Sequence, residues 1–339
     1  MRRALTLSLS FSGVLLLLGA CTSQAPAPRP SPVAATTKPS PTPSPLALTI
    51  DEATKAADVF LAADDVIRSM GDGRMALERA RDGQDPLVLA EYRSSENRPI
   101  RYSWGPRTEI VPRLPKGVTP WFATVAERRH GKEKQTAIMT FMKEGEAWQR
   151  GFTTLLNGDA VLPEIEKDAE GYATPLDARD QSIAISPNLL GPLHATVAEE
   201  GPGGFTSALI KEGPLTKGFY DDIDTQKDVY KRAGYDYISI FAAAASYPVQ
   251  AVRTADGGGL LFYTLTRTTQ WIPVLPNAVG GNLPLPDDAT WDLANPQIVK
   301  DRRIQETQQF LALVPPRTSK APAEIIAYDG RITQASATQ

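Results

Sequence analysis

Cys21 is the only cysteine in 339 residues, so one thiol carries whatever sulfur chemistry the chain has and no internal disulfide can form. The two histidines are His130, in the charged stretch Arg128-Arg129-His130-Gly131-Lys132-Glu133, and His194, in Leu193-His194-Ala195-Thr196. A Ser-His-Asp triad must use one of them. No Gly-x-Ser-x-Gly elbow accompanies either, and nothing marks the nearby Ser207 as activated. His130 reads as an exposed turn residue and His194 as a structural or surface residue of a helix. A zinc site needs three or four Cys, His or carboxylate ligands, which two distant histidines do not supply. The densest acid cluster, Asp221-Asp222-Ile223-Asp224, lacks the glycine and terminal glutamate of an EF-hand loop and carries Lys227 close by; it reads as a solvated helix face. Glu52, Asp64, Asp65, Asp221 and Asp224 offer many carboxylate pairs for glycoside hydrolysis and no way to choose among them. Ala255-Asp256-Gly257-Gly258-Gly259 lies between strands, whereas a phosphate cradle must open a helix. No catalytic residues, cofactor or metal are therefore expected, and the expectation is a non-enzyme.

The region ahead of Cys21 explains the thiol. Arg2-Arg3 is a basic start, Leu5 to Leu18 is largely apolar, and Gly19-Ala20 are small, the order of a secretory signal. The run is short for a bilayer span, which takes about 20 residues. Leu18-Gly19-Ala20-Cys21 resembles the lipobox of bacterial lipoproteins. The resemblance implies cleavage before Cys21, a diacylglyceryl thioether on its sulfur carrying acyl chains such as palmitate, and a lipid anchor on the extracytoplasmic face of the cell membrane. One chain binds a membrane marginally, at about 0.8 kcal/mol per buried CH₂, and two or three hold it.

Residues 1–20 are thus expected to be a signal peptide, and residues 21–47 the lipidated cysteine and a linker. Thr22 to Ala47 contains eight prolines and only Arg29 and Lys38 as charges. It has no apolar periodicity to bury. As polyproline II its 26 residues reach about 80 Å. Loss of residues 1–20 removes two arginines and no acid, taking the formal charge from −3 to −5. That mildly acidic balance, with no basic block beyond Arg128-Arg129 and its neighbours, excludes a nucleic-acid partner.

Behind the linker the elements fall into two similar runs. Thr49-Ile50-Asp51-Glu52 is a capping box, and Ala53, Ala57, Phe60, Ile67 and Met70 recur at helical spacing until Gly71. Shorter helices are expected at Met75–Arg81 and Pro86–Ser94. Strands are expected at Thr108–Arg113, Thr119–Arg129, Gln135–Met142 and Trp148–Leu155, with hairpins at Gly131 and Gly145. The second run has helices at Asn188–Ala198, Phe205–Lys211 and Leu215–Arg232. Strands follow at Tyr237–Ala243, Val249–Thr254 and Leu260–Thr268, the last two joined by an Asp256-Gly257-Gly258 turn. Gln297–Val314 fits either a helix or a long strand, and Asp329-Gly330 is expected to turn Glu324–Tyr328 into Arg331–Ser336. The fold class is α+β: two modules, 48–158 and 186–336, each of helices packed on an antiparallel meander, with a connector at 159–185 whose Val161, Leu162, Ile165 and Tyr172 can dock.

Helices followed by a curved meander resemble nuclear-transport-factor-like or cystatin-like modules. The whole layout also resembles uncharacterised lipoproteins of high-GC Gram-positive bacteria. It comprises the lipobox, the Pro-rich stalk, Gly171-Tyr172-Ala173-Thr174-Pro175, Val252-Arg253-Thr254-Ala255-Asp256-Gly257-Gly258 and Val314-Pro315-Pro316. The resemblance implies an address and a fold class, not an activity. Trp104, Trp121, Phe122, Phe141 and Trp148 in the first run, and Tyr220 to Tyr263 in the second, read as core before they read as a pocket lining. The expected function is a non-catalytic binding or assembly protein of the cell envelope. The expected partners are membrane lipid through acylated Cys21 and cell-envelope proteins or glycans. The alternatives are a small-ligand (lipid or glycan) binder on a concave sheet and, behind it, an envelope hydrolase working with acids alone.

Overall fold

The computed structural model describes residues 45–243, 246–274, 286–293 and 301–338. Leu18, Gly19, Ala20, Cys21 and the linker up to Ser44 lie outside them, as do 297–300.

Helix α1 (Ile50–Met70) starts at the capping box: the Glu52 N–H donates to Thr49 Oγ1 at 3.2 Å and the Thr49 N–H to Glu52 Oε2 at 2.8 Å. It stops at Gly71, whose φ of 68° suits a residue without a Cβ. Its buried stripe is Ala53, Ala57, Phe60, Leu61, Asp64, Ile67 and Arg68, so two charged residues sit on the inward face of its last turns. Helices α2 (Gly73–Glu78) and α3 (Gln84–Ser94) follow. Strands β1 (Ser103–Ile110), β2 (Trp121–His130), β3 (Glu133–Glu144) and β4 (Ala147–Leu156) form an antiparallel meander turned at Gly131 and Gly145, both at positive φ. The second run has α4 (Pro187–Glu200) and α5 (Lys217–Arg232), then β5 (Tyr235–Ala243), β6 (Gln250–Arg253), β7 (Gly259–Pro273), β8 (Asp301–Val314) and β9 (Glu324–Thr338).

The sheet order β1-β2-β3-β4-β9-β8-β7-β5, with β6 also on β7, makes one nine-stranded sheet of the described residues. The two meanders expected as separate modules therefore share a sheet. Each would otherwise leave a strand edge unpaired, β4 on one side and β9 on the other, and free edges invite association. They share a core as well. Side chains alternate along a strand, so Phe122 and Ala126 of β2 face α1, while Trp121 and Ala123 face the other way. That second layer joins Ile110, Ile138 and Phe152 to Val252, Leu260, Phe262, Leu311 and Ile326 of the other meander. The connector covers it: Leu162 and Ile165 pack there, Ala173 is fully buried there, and bridges run from Ile165 to Thr254 and Pro175 to Val252. Val161 stays exposed.

Three local expectations change. Gln297–Val314 resolves as strand from Asp301 onward. Phe205–Lys211 is a helix only as a single 3-10 turn, Ser207–Leu209, because Ile210 leaves it to bridge Ala323. Asp329-Gly330 is not a turn: β8 is long enough to pair Asp329 with Gln309 and Gly330 with Gln308, so β9 runs straight through. Clusters of aromatic residues fill the cores, as in the Phe60–Phe141–Phe122–Trp148 and Tyr230–Tyr237–Trp271 groups.

Candidate functional site

The seam between the meanders is thin. Strands β4 and β9 pair only through Leu155–Tyr328 and Leu156–Ala327. Beyond that point the two strands separate, and a side chain takes over the work of a strand. Gln309 of β8 accepts the Thr153 N–H at 2.7 Å through Oε1 and donates to the Gly151 carbonyl at 2.9 Å through Nε2. Removing it leaves two buried backbone groups unpaired, each costing about 1 kcal/mol or more. Gln309→Ala is expected to lose about 2 kcal/mol in urea unfolding with an unchanged m-value.

Helix α3 lies across β4 and β9 at this seam. Its entry is tight: a Cβ at Gly83 would come within 2.7 Å of Thr264 Oγ1 and 2.9 Å of Gln309 Nε2. Under α3 the separated strands enclose a polar cleft lined by Arg68, Gln84, Glu91, Arg128, Arg150, Thr153, Asp329 and Arg331, with Leu87, Tyr102 and Trp104 completing its wall. Arg68 is its anchor. It reaches Glu91 through two parallel bonds of 2.9 Å, Asp64 at 2.8 Å and the Ile100 carbonyl at 2.9 Å, and is itself 7 % exposed. Arg150 stands 3.8 Å from Asp64 and Arg331 4.0 Å from Glu91. Arg128 covers the Tyr102 ring at 4.2 Å.

The two carboxylates of the cleft are pushed apart. Burial raises the Glu91 pKa, but the charge and hydrogen bonds of Arg68 outweigh it and hold Glu91 below the usual range. Burial raises Asp329, and Arg331 and Arg128 offset only part of that. A split pair of this kind can serve acid–base chemistry. Here Glu91 spends both oxygens on Arg68. The enclosed space, about 30 Å³ for the centres of water-sized groups, holds about two oxygen-sized groups and no sugar ring.

Tyr102 and Trp104 also form part of an open groove of about 620 Å³ beside β1, with Asp58, Asp65, Arg101, Arg107, Arg129 and His130 around it. Arg101 pairs with Asp65 at 2.8 Å, and Arg107 with Asp58. His130 is exposed at the β2–β3 turn, as its setting implies, with Nδ1 3.3 Å from the Arg101 carbonyl.

The other sequence candidates stand apart from the cleft, except Asp64 behind it. His194 is fully buried: one ring nitrogen contacts the Leu215 carbonyl at 2.6 Å, and the other contacts the Tyr263 hydroxyl at 2.8 Å. Burial depresses its pKa to about 4, so it is neutral at pH 7 with Nε2–H donating to Leu215 and Nδ1 accepting from Tyr263. On α5, Asp221 pairs with Lys217, and Asp222 reaches Arg267 of β7; no cluster fit for a metal occurs among the described residues. Glu52 belongs to its cap and Asp65 to Arg101. Gly257, at φ 85°, makes the β6–β7 turn. Sequence reasoning missed Arg68, Gln84, Glu91, Arg150, Asp329 and Arg331, which come from four separate elements.

A model of the family described as a domain of unknown function, DUF8094, matches residues 45–337. The chain belongs to that family. The match begins where the Pro-rich linker ends and spans both meanders, in keeping with one shared sheet. Over nearly its whole length (99 %) the chain is 27 % identical to an uncharacterized lipoprotein of Streptomyces coelicolor, covering 95 % of that protein. A second S. coelicolor uncharacterized lipoprotein is 22 % identical over 60 % of this chain and 59 % of its own length. An uncharacterized lipoprotein of Streptomyces avermitilis is 26 % identical over 42 % of this chain and 41 % of its own. The resemblance to lipoproteins of high-GC Gram-positive bacteria thus has its counterpart in these relatives. No solved structure matches the chain. No described helix is long and apolar enough to cross a membrane.

Proposed function

We propose that the protein is a lipid-tethered, non-catalytic binding protein of the cell envelope. Signal cleavage before Cys21 leaves its sulfur as the site of diacylglycerol attachment, and the Pro-rich segment spaces the family domain from the bilayer on the extracytoplasmic side. The observation that carries the binding reading is the seam cleft. It is polar, roofed by α3 and held by an arginine whose carboxylate partners are fully engaged, so it has recognition groups and no free acid–base pair. The basic start, apolar run and small-small-Cys order support the address, as do the relatives' names.

Cys21→Ala is expected to move the protein from the membrane fraction to the soluble or secreted fraction and to abolish metabolic palmitate labelling. A variant that still sediments with membranes, or a natural chain that takes up no label, would contradict the tether.

A further inference from the structure

We infer that the groove between α1 and the β3–β4 turn binds a long-chain fatty carboxylate, with its head at Arg79 and its chain along α1 towards Leu48. This goes beyond the seam cleft and does not rest on it.

The groove has a volume of about 490 Å³, within the range of about 300–1,000 Å³ for small-ligand sites. Its floor is apolar: Leu48, Ala56, Phe60 and Trp148. Val59 also lines it and is left 67 % exposed. A single exposed valine is ordinary, but this one continues a concave apolar floor. The lining residues of α1 run from Glu52 to Phe60, about 12 Å along the helix axis, so the floor is extended in one direction. Ala47 and Leu48 of the lining directly follow the Pro-rich segment that leads back to Cys21.

One end of this track holds a cation without an anion. Arg79 is half-buried, with its guanidinium over the Phe60 ring at 4.3 Å. It makes one long hydrogen bond, 3.4 Å to the Phe60 carbonyl, and no ion pair among the described residues. Burial pulls its pKa down, and Asp64 offsets only part of that. The acids of the lining are engaged elsewhere. Glu52 belongs to the α1 cap, Glu78 pairs with Arg74 outside the groove at 3.1 Å, and Glu146 pairs with Lys143 at 3.2 Å. Lys55, Arg74, Arg79 and Lys143 against Glu52, Glu78 and Glu146 leave one positive charge over, which a monoanion balances. A carboxylate also fits the planar donors of a guanidinium.

The floor decides the rest of the ligand. A sugar or a peptide brings hydroxyls or amides that need partners, and Leu48, Ala56, Val59 and Phe60 offer none from their side chains. An acyl chain needs none, and each methylene buried on such a floor tightens binding up to about fourfold.

The test is photolabelling of the full chain in its own membranes with a fatty acid that carries a diazirine on its chain, and with the matching fatty alcohol. Mass spectrometry maps the labelled residues, and label in the groove is read against label in the rest of the chain. The acid is expected to label residues 48–60 and 143–148, and excess laurate is expected to displace it. The alcohol is expected to label them at least tenfold less, the loss of one charge-assisted hydrogen-bonded pair. Arg79→Gln is expected to bring the acid down to the level of the alcohol. Val59→Glu, at an exposed helix position, is expected to fold with unchanged circular dichroism and to lose at least tenfold of the groove label from either probe. Equal labelling by acid and alcohol in the natural chain would overturn the carboxylate assignment. Label spread evenly over the chain, or full labelling of Val59→Glu, would overturn the groove as the site. No groove label from either probe would overturn the inference in favour of a groove covered by protein, the chain's own linker or a second copy. Each of these failures leaves the reading of the seam cleft standing.

Discussion

Arg68→Ala is expected to cost 3–5 kcal/mol of stability, the range for breaking a buried ion pair from one side. The reason lies in what it leaves behind. Glu91 loses both of its hydrogen bonds to Arg68, Asp64 loses its closest cation, and the Ile100 carbonyl loses its donor. Asp64 keeps Arg150 at 3.8 Å, and Arg331 stays at 4.0 Å from Glu91, too far to replace a two-pronged pair. For a domain of this size that loss corresponds to a melting point lower by about 10 °C. Arg68→Lys is expected to rescue little, because one ammonium cannot reproduce the planar fork. The double variant Arg68→Met with Glu91→Met is expected to recover most of the loss, since buried pairs replaced together by apolar groups are close to neutral. Thermal and urea unfolding of the three variants check this. A single-variant loss below about 1 kcal/mol would show that the network does not hold α1 to α3.

Acidification is expected to destabilise the fold by about 3 kcal/mol between pH 6.5 and pH 4 through His194 alone. Its ordinary pKa is 6.5, and burial lowers it to about 4 in the folded protein. As pH falls, the unfolded chain takes up a proton near 6.5 and the folded one does not until about 4. The stabilisation is complete above about pH 6.5, drains away across that window and is flat below it, at 1.36 kcal/mol per pH unit. Asp329, Glu306 and Glu199 are raised carboxyls and contribute with the opposite sign. A difference against His194→Gln isolates the histidine. The variant is expected to be less stable at pH 7 and to lose about 3 kcal/mol less between pH 7 and pH 4. Parallel curves for the two proteins would show that His194 is not protected from protons.

Much of the scaffold was legible because its signals are local. Thr49 and Glu52 are three residues apart, Gly71 follows the last helical apolar residue, and Gly131 and Gly145 stand between alternating strands. The placement of His194 on a helix was legible too, although only the fold shows what buries it. The cleft was not legible, because its parts meet through the seam. Gln309 reaches Thr153 and Gly151 across 156 and 158 residues. Asp64 and Arg68 are polar residues at helical spacing, and nothing local says that they face inward. Asp329-Gly330 carries a strong turn signal that the length of β8 overrides. The same pairing merged two expected modules into one sheet: the order of elements is local, and the contact of β4 with β9 is not.

The measurement that bears most directly on the binding reading is hydrogen–deuterium exchange of the full chain in detergent, with and without the glycan fraction of the cell wall. Slowed exchange is expected, confined to the cleft walls: α3 at Gln84–Ser94, β4 from Arg150 to Leu156, and β9 around Tyr328 to Arg331. Protection on a different face, or none at all, would contradict the claim that this seam is where the protein binds.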